Sequence, residues 1–195
     1  MEPSRVSREI GPMTTSLWIL RGVALVAAAL ALPAAAAAQH PDHAGHGTGL
    51  PGIPASLRAE HQEIHERLEA ATRLPGATGR AARDLAAVLH PHFVREEQIA
   101  LPPLGLLGPL SRGEFSPAMR DVLPLTDSLR AELPRMLEEH EAIRAATARL
   151  GETARAEKQT DAAALAEALA LHAKSEEELF YPAAILVGDF IRARQ

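Results

Sequence analysis

Two stretches of this sequence, eighty residues apart, carry the same polar pattern. His92, Glu96, Glu97 and Pro102 in LHPHFVREEQIALP recur as His172, Glu176, Glu177 and Pro182 in LALHAKSEEELFYP. On an α-helix, residues four apart lie about 40° apart in azimuth and about 6 Å apart along the axis. An imidazole and a carboxylate at that spacing can reach one metal ion, so each stretch offers half of a metal site.

The repeat extends upstream. Glu60-His61-x-x-Ile64 is matched by Glu139-His140-x-x-Ile143, and the interval from His61 to His92 is 31 residues against 32 from His140 to His172. The chain therefore reads as two copies of a helical hairpin. Each copy gives one His from its first helix and a His plus a Glu from its second. Packed as a four-helix bundle, the hairpins would bring His61, His92, Glu96, His140, His172 and Glu176 into one core layer, where facing helices of bundles build metal sites.

A lone H-x-x-x-E is ordinarily a solvated helix face. Here four histidines fall on four separate apolar stripes, at positions where an unpaired polar group costs on the order of several kcal/mol. A pair of divalent cations removes that cost. Neutral imidazole and carboxylate suit Fe(II), Mn(II) or Zn(II), and two bridging glutamates would hold two ions within about 4 Å of each other. Open coordination positions would accept O2, NO, peroxide or water. His65, one turn beyond His61, and His90, beside Pro91, are possible additional ligands. Glu97, Glu177 and Glu178 read as solvent-facing charges or as hydrogen-bond partners of the ligands.

The elements that must position these groups are helices. Ala, Leu, Glu and Arg dominate the 195 residues and aromatics make up 3%, which favours an all-α domain over a sheet. With no cysteine, disulfides, thiolate sites and cysteine nucleophiles are excluded, and any metal falls to His and carboxylate. A net charge of −5 without a basic cluster argues against nucleic acid as a partner.

Residues 1–38 have the form of an export signal: Arg5, Arg8 and Arg21, an apolar run from Val23 to Leu32, and Ala36-x-Ala38 as a cleavage site, with Met13 a second possible start. The expected location is periplasmic or extracellular, with no stable membrane insertion after cleavage; an N-terminal anchor is the alternative. Residues 39–55, with His40, His43 and His46 among Gly and Pro, read as a flexible linker or a weak metal-scavenging tail. Residues 56–195 form the bundle domain.

Within it, helix A is expected from an N-cap at Ser56 to about Leu74 and helix B from about Thr78 to Leu101, kinked at Pro91. Residues 102–116 look too rich in Pro and Gly for regular structure. A short helix is expected near 117–129, separate from helix C, which has Pro134 near its first turn or as a kink and ends at a Gly151 cap. Helix D is expected from Thr160-Asp161 with the stripe Leu165, Leu169, His172, Glu176, Leu179, Ala183, bent or broken at Pro182.

With those residues in hand, the chain from about Leu57 to Ala184 resembles the hemerythrin-like HHE cation-binding domain. The motifs that carry the resemblance are Glu60-His61, His92-Phe93-x-x-Glu96-Glu97 ending in Leu101-Pro102, Glu139-His140, and His172-x-x-x-Glu176-Glu177 ending in Tyr181-Pro182. The resemblance implies an antiparallel up-down four-helix bundle with a non-haem di-iron centre, in a family that includes oxygen carriers, sensors of oxygen, nitric oxide and iron, and proteins implicated in repair of damaged iron centres. Oxygen-carrying members have a second His one turn after the helix-C ligand, where this chain has Arg144. Four His and two Glu are closer to the repair and stress-response branch, although His65 occupies the place on helix A equivalent to Arg144 and would make a fifth His.

Three functions compete: an exported di-iron protein that binds or senses O2 or NO or handles iron; a di-iron oxidase or peroxidase-like enzyme; and a structural bundle whose histidines are incidental, or a periplasmic zinc or copper binder aided by the His-rich tail. No separate substrate pocket can be read from the sequence, so binding is preferred to catalysis.

Overall fold

The computed structural model describes residues 52–194. Residues 1–38, read above as an export signal, and the tail histidines 40, 43 and 46 lie outside them. The described chain is helical with no strand, and no helix of it is long and apolar enough to cross a membrane.

Four helical rods make up the bundle: α1 (Ala55–Thr72), α2 (Gly76–Ile99), α4 (Leu123–Ala156) and a last rod of α5 (Thr160–Ser175), a π-helical turn (Glu176–Phe180) and α6 (Tyr181–Arg192). Helix α2 packs on α1 and α4, α4 on α5 and α6, and α1 on α5, so each rod touches two others. The expected core stripe of α1 is buried at Leu57, His61, Ile64, Leu68 and Ala71, and that of α4 at Met136, His140, Ile143 and Leu150, while Ala146, also expected there, is only partly buried. Along every rod, the polar residues sit between two apolar clusters. One cluster holds Ile64, Leu85, Leu89, Ile143, Leu150 and Leu165; the other holds Leu57, Ile99, Leu129, Met136, Tyr181 and Ala184.

Several boundaries differ from the sequence reading. Helix α1 starts one residue before Ser56 with Pro54 as N-cap and no side-chain cap hydrogen bond. Pro91 and Pro134 lie inside continuous helices. Both prolines, and residues Ala87 and Arg130 whose carbonyls lose their amide partner, are on exposed faces, where water can satisfy those carbonyls. Residues 102–111 are regular after all, a 3₁₀ helix (Pro102–Leu106) running into α3 (Leu107–Ser111). The short helix expected at 117–129 is a 3₁₀ turn over Pro117–Val122 that merges into the 34-residue α4.

Gly151 is not a C-cap. It is buried within α4, where an added Cβ would sit 3.3 Å from the Ala166 Cβ of α5. The helix instead ends at Glu157, and that residue caps a different element. Its carboxylate accepts the Ala77 N–H (2.7 Å), the Thr78 N–H (3.0 Å) and the Thr78 hydroxyl (2.6 Å) at the start of α2. Gly76, with φ +78°, is required there, because a side chain would meet the Glu157 carboxylate. These hydrogen bonds lower the Glu157 pKa to about 2. Stability from a lowered carboxyl pKa is present above the unfolded value near 4.5 and lost as pH falls through the folded one. Glu157→Ala should therefore reduce the urea midpoint at pH 7, with the deficit narrowing as pH falls from 4.5 toward 2. A deficit independent of pH over that range would show that the charge is not what caps α2.

Candidate metal centre

The prolines after the two glutamates shape the site. At Pro182 the missing N–H and the bulk of the ring disfavour i→i−4 bonding, and the rod takes a π turn over Glu176–Phe180 in which the Tyr181 N–H donates to the Glu176 carbonyl. Glu96 shows the same i→i+5 bond, donated by the Leu101 N–H at 3.0 Å just before Pro102. There the helix ends; in the last rod it continues, with its stripe rotated. Leu179, expected in the core, is 62% exposed, Ala183 is only partly buried, and Tyr181, Ala184 and Val187 take the inner face.

The structure brings six of the sequence-singled residues together, none more than 3% exposed. They form two sets of four, each with its ligand atoms within 4.8 Å of one another: His61, Glu96, His172 and Glu176, and His92, Glu96, His140 and Glu176. Each glutamate divides its oxygens between the sets. Glu176 Oε1 lies 2.8 Å from His172 Nε2 and 3.6 Å from His61 Nε2, while Oε2 lies 3.4 Å from His140 Nε2. Glu96 Oε2 lies 4.0 Å from His61 Nε2, and Oε1 3.4 Å from His92 Nε2. Such an arrangement can hold two cations bridged by two carboxylates. His65 and His90 join neither set and are exposed.

Every one of the four imidazoles is oriented through its far nitrogen by an outer glutamate. His61 Nδ1 pairs with Glu97 (3.2 Å), His92 with Glu139 (2.9 Å), His140 with Glu177 (2.7 Å) and His172 with Glu60 (3.1 Å). With Nδ1–H donating outward, Nε2 presents its lone pair inward. Glu139 is in turn held by Arg135 at 2.9 Å, and Glu177 by Arg144. Arg144, at the position where oxygen carriers have a histidine, thus serves an outer carboxylate. The orienting roles of Glu60 and Glu139 escaped the sequence reading, although the repeated Glu-His dipeptide signals them.

The polar layer is unbalanced without cations. His61 Nε2, His172 Nε2, Glu96 Oε2 and Glu176 Oε1 are buried without a well-directed hydrogen bond, the 2.8 Å approach of His172 Nε2 to Glu176 Oε1 included, and these four atoms converge as one of the two sets. In the other set, His92 Nε2 and His140 Nε2 face each other at 2.8 Å, a contact that needs a proton or a cation between the lone pairs. The donor set therefore fits divalent metal. Burial disfavours the charged form of His92, but the hydrogen bond and charge of Glu96, with Glu139 and Glu176, outweigh it and push the imidazole up to about 9. His172 is likewise pushed up to about 9, against burial, by Glu176, Glu60 and Glu96. Burial and the neighbouring Glu176 raise Glu96; burial works against the charged form of Glu176 too, but the close imidazoles of His140, His172 and His61 outweigh it and hold Glu176 well below the usual range.

One further residue at the site was quoted in the sequence only as part of a motif. The buried Tyr181 hydroxyl donates to Glu96 Oε1 and lies 3.2 Å from His140 Nε2 and 3.4 Å from His92 Nε2. Burial, then the charges of Glu96 and Glu176, raise its pKa and keep the phenol protonated. Its counterpart in the first hairpin, five residues after Glu96, is the buried Leu101.

Comparison with curated proteins and with solved structures gives no match. Comparison with family models gives the Hemerythrin HHE cation binding domain over residues 53–184. That match runs from just before α1 into the first turn of α6 and takes in all eight atoms of the paired sets; the chain belongs to the hemerythrin HHE cation-binding domain family.

Proposed function

We propose that this protein holds two non-haem iron ions in an antiparallel up-down four-helix bundle and uses them, in an exported location, to bind or sense O2 or NO or to handle iron under stress. The observation that carries the reading is the convergence of four buried, unpartnered ligand atoms in one set, next to two imidazole nitrogens 2.8 Å apart in the other. His61 and His172 would hold one ion and His92 and His140 the other, with Glu96 and Glu176 bridging. Iron there would supply a redox-active Lewis acid with open positions. The chain supplies the rest: the outer glutamates fix the imidazole tautomers, the apolar clusters exclude water on both sides, and Tyr181 offers a proton donor beside the His92/His140 ion. Candidate ligands so deeply buried favour a guest of two or three atoms over an organic substrate.

An oxidase or peroxidase-like activity is a second reading, favoured by the Tyr181 phenol, which could pass a proton to a reduced guest. The test is metal analysis of the mature protein after iron loading, with about two irons per chain expected, and a near-ultraviolet charge-transfer band that shifts with azide or NO. Absence of bound iron, or unchanged iron in the His92→Ala/His172→Ala variant, would sink the reading. Tight zinc or copper in place of iron would move it to the periplasmic metal-binder alternative. Sustained peroxide turnover would move it to the enzyme.

A further inference from the structure

The two histidines left out of the core sets are not scattered. His65 on α1 and His90 on α2 lie side by side on the surface, with ring centroids 5.9 Å apart. Two imidazoles on one tetrahedral ion, with metal–nitrogen bonds of about 2.1 Å, have centroids about 5 Å apart, and two in line about 6.5 Å. The observed separation falls between these limits, so the spacing of the two rings is compatible with one shared ion.

Their position adds a direction. Both line a depression of about 280 Å³ between α1 and α2 whose walls also include His61, Glu97 and Phe93. On the other side of the pair, a second depression of about 170 Å³ brings in Glu69. Charge around the pair is mixed, since Arg58 lines the first depression and Glu69 is paired with Arg73, so the preference for a cation comes from the two imidazoles themselves, which as neutral rings offer lone pairs to a borderline metal. Glu97, 47% exposed, reaches inward to His61 Nδ1 at 3.2 Å, and the Phe93 ring lies stacked on His61 with centroids 4.1 Å apart. A surface imidazole pair, a half-exposed carboxylate and a buried core histidine thus share one depression.

We propose that His65 and His90 form a separate, exchangeable surface site for a borderline divalent cation, such as Fe(II), Zn(II) or Cu(II), and that it stages ions for the buried centre. Two imidazoles with water in the remaining positions bind such ions but release them readily. The staging role rests on the proposed core metal centre; the surface site itself does not.

The probe is Cu(II), added to iron-loaded full-length protein in which His40, His43 and His46 are replaced by Asn so that the tail cannot compete. One extra Cu(II) per chain with a nitrogen-ligated paramagnetic resonance signal is expected, and affinity should fall by at least about tenfold in the further His65→Asn/His90→Asn variant, with core iron and Tm unchanged. Equal Cu(II) binding by that variant, or no extra ion on the chain lacking the tail histidines, overturns the site. In the same pair of proteins, Fe(II) uptake into metal-free chain should slow severalfold while reaching the same final content; equal rates overturn the staging role. A failure of the core reading would be visible separately, as absent core iron in both proteins, and the Cu(II) comparison can then be made on metal-free chain.

Discussion

Replacing Glu176 with alanine should cost the chain both metal ions, whereas replacing His61 should cost only one. The difference follows from which atoms each side chain contributes. His61 offers one nitrogen to one set. Glu176 faces His61 and His172 through Oε1 and His140 through Oε2, so its loss removes an anionic ligand from each position and the bridge that offsets repulsion between neighbouring cations. Metal content measured after iron loading and gel filtration should drop from about two per chain to near zero in Glu176→Ala and to about one in His61→Ala. Helical circular dichroism should hold in both, since the apolar clusters on either side of the layer are untouched. Retention of two ions by Glu176→Ala would refute a shared carboxylate.

Metal removal should lower thermal stability, and the loss should grow with pH. His92 and His172 have folded pKa values raised to about 9. For a raised imidazole, the stabilisation is fully present below the unfolded value near 6.5 and lost as pH rises through the folded one. The metal-free bundle thus draws stability from protons between its carboxylates and imidazoles, and that contribution declines from pH 6.5 toward 9. Metal competes for the same nitrogens, so its affinity rises over the same window. Two ions each at about 1,000 times Kd would contribute about 4 kcal/mol apiece, and at about 2–4 °C per kcal/mol for a chain of this size the Tm gap should exceed about 10 °C near pH 9. It should narrow toward pH 6. Proton release on metal uptake, followed with an indicator in weak buffer, should fall in parallel as pH rises to 9. A gap that widened toward low pH would contradict this account.

The six core ligands were legible because the sequence puts polar residues on apolar stripes, and a helix of fixed period leaves them nowhere else to point. Position 92 was legible over position 90 for the same reason: its phase matches His172, and Pro91 sits on an outer face where it does not disturb that phase. The π turn was not legible. Pro182 announced a disturbance, but whether a rod ends, kinks or gains a wide turn depends on the packing that follows, and α6 buries Tyr181, Ala184, Val187 and Ile191. The misplacement of Leu179 and the unnoticed role of Tyr181 are two faces of that single shift. Glu157 capping α2 from 80 residues away was hidden because no local pattern records a partner supplied by another helix.

The mismatch between Tyr181 and Leu101 gives the two halves different freedoms. A molecule built twice from one hairpin begins with two interchangeable places, and any change in one copy is free to distinguish them while the other preserves the shared task. Here the ligands and their orienting glutamates have kept the repeat, and the residue five places on has departed from it. The duplicate thereby becomes a labelled pair, in which a guest arriving at the centre meets a left and a right.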